Sequence, residues 1–88
     1  MDFSKFNPRN VVRAITLCRP YAVVYCVYVG GEWLVQPADV TKQELHSKSA
    51  FQARYCVESD CPPKIKALFE GVPSFNQWRR ELTAGGGR

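Results

Sequence analysis

The sequence predicts a small α+β domain: an N-terminal helix, a β-hairpin, and then two or three helices packed on the sheet. Three observations predict it. Asn7-Pro8 is a helix-start signal followed by apolar residues at helical spacing. Residues 21–29 form a nearly unbroken β-branched and aromatic run that ends in Gly30-Gly31. The second half repeats capping patterns ahead of apolar residues three or four apart. A chain of 88 residues has room for one domain. That domain is read as residues 1–84, followed by a flexible Gly-rich tail over 85–88.

At the N-terminus, Asn7 can cap free backbone N–H groups, and Pro8 has no donor to lose at the first helical position. Phe6 and Val11 are placed for a hydrophobic staple. Val11, Ala14, Ile15 and Cys18 then define an apolar stripe, and Arg19-Pro20 stops the helix. The β-branched content of residues 11–18 supports a strand as the competing reading. Residues 21–29 are the strongest strand, and Gly30-Gly31 turns the chain into a returning strand over 32–36. Both faces of this hairpin are apolar. Either both are covered, or one is a binding surface.

Further on, Thr41-Lys42-Gln43-Glu44 and Ser49-Ala50-Phe51-Gln52 are capping-box patterns. They predict a short helical turn from Thr41 and a firmer helix over 49–58, with Phe51, Tyr55 and Leu45 facing the core. Residues 60–63 form a loop. Residues 64–70 form a short helix with Ile65, Leu68 and Phe69 inward. Ser74 caps the last helix, whose apolar face is Phe75, Trp78 and Leu82.

Composition is that of an ordinary globular domain, 45% hydrophobic and 23% charged, with a net charge of +4. The longest apolar run is far short of the ~20 residues a membrane-spanning helix needs. No leader pattern opens the sequence, so a cytoplasmic, reducing setting is expected. The cysteines are Cys18, Cys26, Cys56 and Cys61. Only Cys56 and Cys61 fit the spacing of zinc ligands, and loosely; structural thiols fit better, buried at Cys18 and Cys26, whereas Cys56 and Cys61 span a loop where a thiol could be exposed and could close a disulfide if oxidised. His46 has no partner in sequence for a nucleophilic or acid–base constellation. No metal or cofactor is implied, and the chain does not read as an enzyme.

The charge is uneven. Residues 1–31 and 62–88 are net basic around a net acidic middle. Arg9, Arg13, Lys64, Lys66, Arg79 and Arg80 are the candidate phosphate contacts of a nucleic-acid partner. Tyr21, Tyr25, Tyr28 and Trp33 are the candidate stacking or interface residues. The alternative is a protein-interaction module acting through the aromatic hairpin, as a small inhibitor, an adaptor or a homodimer. The stretch Tyr28-Val29-Gly30-Gly31-Glu32-Trp33-Leu34-Val35, Leu45, residues 51–58, Pro62-Pro63 and Trp78-Arg79-Arg80-Glu81-Leu82 resembles a small accessory module of phage and plasmid replication proteins, found beside primase or helicase domains. That resemblance implies an adaptor or nucleic-acid-contacting role, without the catalytic activity of those domains.

Overall fold

The computed structural model describes residues 4–38 and 42–86, with side chains as far as Leu82. Its centre is a curled five-stranded antiparallel sheet. The strands are β1 (Val12–Thr16), β2 (Val23–Val29), β3 (Glu32–Pro37), β4 (Glu44–Ser47) and β5 (Tyr55–Val57), in the order β4-β3-β2-β1-β5. Helix α1 (Lys48–Arg54) joins β4 to β5. Two 3-10 turns (Glu58–Asp60 and Ala67–Phe69), α2 (Pro63–Lys66) and α3 (Phe75–Gly86) complete the chain. Among the described residues no helix is long and apolar enough to cross a membrane.

The N-terminal helix is the main correction. Asn7 does act as a local cap: its side chain accepts from the Arg9 N–H at 3.0 Å, and its carbonyl accepts from Asn10 and Val11. Only one turn forms. From Val12 the chain is extended, because β1 lies between β2 and β5 and bonds to both. Val12, Ile15 and Thr16 are β-branched and give up little by leaving the helix, while pairing on both sides satisfies the strand's backbone groups. The cap pattern was local, and the pairing that overrides it is not.

The hairpin is as the sequence predicts. Gly30 and Gly31 have φ of 60° and 83°, the two successive positive values of a type I′ turn, so Val29 faces Glu32. Lys42 and Gln43 form no helical turn, and Glu44 begins an edge strand; the capping pattern's Thr41 lies outside the described residues. Leu45 is 62% exposed on that edge rather than in the core. The helix predicted over 49–58 ends at Arg54, and Tyr55 starts β5, whose Ala14↔Val57 and Thr16↔Tyr55 pairings compete for the same residues. Ser47, not Ser49, caps α1 by accepting from the Ala50 N–H. The last helix forms as predicted, capped by Ser74 accepting from Gln77 N–H at 3.2 Å, and it continues through Gly85 and Gly86.

Both hairpin faces are covered. On the concave side Phe51 of α1 fills the curl against Ala14, Val24, Cys26 and Val35. On the convex side Phe6 and α3 cover Tyr25 and Val27, and the 3-10 turn bearing Phe69 covers Ile15 and Cys61. Tyr25 sits among Phe75 and Trp78 and donates its hydroxyl to the Pro73 carbonyl at 2.7 Å. Trp78 donates its indole N–H to the Ala38 carbonyl at 3.0 Å.

Burial pushes the Cys26 thiol and the Tyr25 and Tyr55 hydroxyls above their ordinary values of 9.0 and 10.0, with Glu81 and Glu44 adding to the rise at the two tyrosines. The unfolded chain gives up these protons first as pH rises, so the folded state binds more of them and stability falls with pH. Folding stability should therefore be flat to about pH 8 and decline steadily above about pH 9. Urea unfolding across that range checks this, and a stability that held constant to about pH 11 would contradict it.

Candidate functional site

The curl leaves an open groove, with a volume of about 410 Å³, between α1 and the concave face of the hairpin. Its lining is largely aromatic: Tyr28, Trp33, Phe51 and Tyr55. The rings form a continuous chain of contacts, in which Trp33, Phe51 and Tyr55 are stacked and Tyr28 is tilted 57° to Trp33. Tyr28 lies 5.2 Å from Trp33, Trp33 lies 4.3 Å from Phe51 at 14° between planes, and Phe51 lies 5.2 Å from Tyr55. Phe51 is buried, Trp33 and Tyr55 are half-buried, and Tyr28 is 48% exposed, so the chain of rings runs from core to solvent. Each ring has a separate structural reason for its place. Tyr28 and Trp33 are paired across the hairpin just before and after the glycine turn. Phe51 points inward from the middle of α1, and Tyr55 follows as the first residue of β5.

The polar lining residues are Lys48 and Gln52 on α1 and Asp60 after β5. One ammonium and one carboxylate leave the groove close to neutral. His46 on β4 stands edge-on to Tyr55 at 5.7 Å and bonds Glu44 at 2.9 Å.

The candidate phosphate contacts are dispersed. Arg9 is exposed in the N-terminal turn, Lys64 and Lys66 are exposed on α2, and Arg79 and Arg80 are exposed on α3. Arg13 is different. Its Nε and Nη2 donate to both Glu58 carboxylate oxygens at 2.9 and 2.7 Å, and its Nη1 donates to the Val72 carbonyl at 2.8 Å. Its guanidinium also lies over the Phe69 ring. This is a fork that ties β1 to the chain after β5.

The four candidate stacking residues separate in the same way. Tyr28 and Trp33 meet in the groove. Tyr25 is core, and Tyr21 lies under Arg19 at the far end of β2. Apart from Tyr28 and Trp33, the sequence marks none of the groove-lining residues as a site, Phe51, Tyr55, Lys48 and Gln52 among them. The four-residue spacing of Phe51 and Tyr55 is the available signal, and it is equally the spacing of a core-facing pair. All four cysteines are free, and the described residues include no cluster suited to a metal ion.

No family model, no curated protein and no solved structure matches this chain.

Arg13→Ala should destabilise the fold by about 2 kcal/mol, since it leaves Glu58 and the Val72 carbonyl without their donor in a partly solvated setting. Urea denaturation reads this directly. An unchanged midpoint would mean that the fork is not structural.

Proposed function

We propose that the protein is a non-catalytic binding module that docks an extended segment of another protein in the aromatic groove. The observation that carries this reading is the Tyr28–Trp33–Phe51–Tyr55 chain of rings lining an open groove of about 410 Å³. A volume of that size accepts one or two apolar side chains of a partner. Tyrosine and tryptophan give large contact area at little entropic cost, which is why they dominate interface energetics. Lys48, Gln52 and Asp60 supply hydrogen-bonding groups for the partner's backbone or flanking charges.

Charge favours a peptide over a polyanion here. A nucleic-acid groove places several cations along its length, whereas this lining holds one cation and one anion. Arg13, with its donors engaged by Glu58 and Val72, adds nothing to a phosphate-binding stripe. The four free thiols favour a cytoplasmic setting for this activity.

The test is selection of a random peptide library displayed on phage against the full chain, followed by fluorescence polarisation with a labelled selected peptide. Selected sequences should share an apolar or aromatic anchor. Tyr28→Ala, at an exposed ring, should weaken binding about tenfold while leaving thermal unfolding unchanged. A selection that yields no sequence above background would overturn the reading. So would steeply salt-dependent binding of a labelled oligothymidylate that is lost on Arg79→Ala with Arg80→Ala, since nucleic acid would then be the partner.

A further inference from the structure

Cys56 and Cys61 are brought together by the short 3-10 turn Glu58–Asp60. The Cys61 N–H closes that turn on the Glu58 carbonyl at 3.3 Å, and Glu58 is itself held in the Arg13 fork. The turn folds Cys61 back over the end of β5. Its Sγ comes within 3.5 Å of the Cys56 carbonyl oxygen and 3.3 Å of the Val57 carbonyl oxygen. The Cys56 Sγ reaches the same Val57 oxygen at 3.7 Å. Two thiols converging on one acceptor are an unusual use of cysteine in a core, where single thiols normally stand as small apolar groups, as Cys26 does here.

The two sulfurs differ in access. Cys56 is half-buried, and its side chain packs on the convex side beside Ile15, Cys61 and Phe69. Cys61 is 8% exposed and borders a separate hollow with Pro63, Lys66, Ala67 and Glu70. We propose that Cys56 and Cys61 form a dithiol modification site, at which a low-molecular-weight disulfide such as oxidised glutathione converts the pair to an intramolecular disulfide.

The exchange has two steps. The Cys56 thiol loses its proton, and its sulfur attacks one sulfur of the glutathione disulfide. A Cys56–glutathione mixed disulfide forms and one glutathione leaves as thiolate. Cys61 then loses its proton and attacks the Cys56 sulfur, and the second glutathione leaves. The two leaving thiolates take up the two protons. The protein dithiol is oxidised by two electrons, and the glutathione disulfide is reduced to two thiols.

Access sets the order, because the less buried partner meets the bulky oxidant and the more buried one completes the ring. The electrostatics agree. Burial, the neighbouring Cys56 side chain and the nearby Asp60 and Glu58 carboxylates push the Cys61 thiol up to about 11, with Lys66 and Glu70 the other charged groups bordering it. A thiol held that high is a poor first nucleophile. The second step should accelerate about tenfold per pH unit through neutral pH, as the Cys61 thiolate fraction rises.

The experiment uses the full chain carrying Cys18→Ser, which removes the exposed competing thiol. It is equilibrated in glutathione buffers of increasing oxidised fraction, acid-quenched, alkylated and mapped by peptide mass. The protein should lose the mass of two hydrogen atoms, with the disulfide between Cys56 and Cys61 and Cys26 still reduced. Adding Cys61→Ser should instead trap one glutathione on Cys56. Adding Cys56→Ser should leave Cys61 unmodified. The proposal is overturned if both thiols stay free under buffers that modify Cys18 in the wild-type chain. It is equally overturned if a stable mixed disulfide or an intermolecular disulfide accumulates while Cys61 is present. The mapping on the chain with both cysteines is decisive even where a serine variant folds poorly.

Discussion

The structure depends on a span that is too short for a flat sheet. Ser47 ends β4 and Lys48 begins α1; Arg54 ends α1 and Tyr55 begins β5, with no loop on either side. The two strands lie at opposite edges of five. In a flat sheet those edges are about 19 Å apart. A seven-residue helix is only about 10 Å long. The strands also point the same way, because β4 is antiparallel to β3 and β5 is antiparallel to β1, so α1 must climb back along them as it crosses. The sheet satisfies this by curling, which brings side chains of its two edge strands into contact. His46 of β4 and Tyr55 of β5 are within 5.7 Å across the gap.

That curl produces both the core and the groove. Phe51, in the middle of the crossing helix, is forced into the concavity, where it fills the space over Ala14, Val24, Cys26 and Val35. Trp33 is too large to follow it inside, so it stacks on Phe51 and leaves one side to solvent. The convex face is closed by separate pieces of chain, Phe6 and α3 among them, held by the Tyr25–Pro73 and Trp78–Ala38 hydrogen bonds. The Arg13 fork fastens the segment after β5 to β1, and that segment carries the Cys56–Cys61 pair. One geometric requirement thus places an aromatic groove on one side of β5 and a paired thiol at its end.

The sequence carried the local features and missed those set by long-range pairing. Gly30-Gly31 was legible because a two-residue turn with two positive φ values is a property of those residues alone. Asn7-Pro8 was legible as a cap, yet a cap says where a helix can start and not whether the next residues have strand partners. Val12 pairs with Cys26, and Ala14 pairs with Val57, far along the chain. The same pairing cut the helix over 49–58 at Arg54. Leu45 fits an apolar helical stripe, but it stands opposite Leu34 on the edge strand, where the chain covering that face leaves it largely exposed. Two of the four groove rings were legible: Tyr28 and Trp33 flank the turn. Lys48, Gln52, Tyr55 and Asp60 join them through the crossover, whose length acquires meaning only when the strand order is known. Arg13 looked like a surface cation because the carboxylate and carbonyl that engage it lie 45 and 59 residues away.

The claim that the curled face is the working surface is tested most directly by chemical-shift mapping of the isotope-labelled full chain. Titration with a library-selected peptide should perturb the Trp33 indole and the Tyr28 and Tyr55 rings first, together with the amides of Lys48 and Gln52, while Lys64, Lys66, Arg79 and Arg80 stay unperturbed. Perturbations confined to α2 and α3, with the Trp33 indole unmoved, would contradict it.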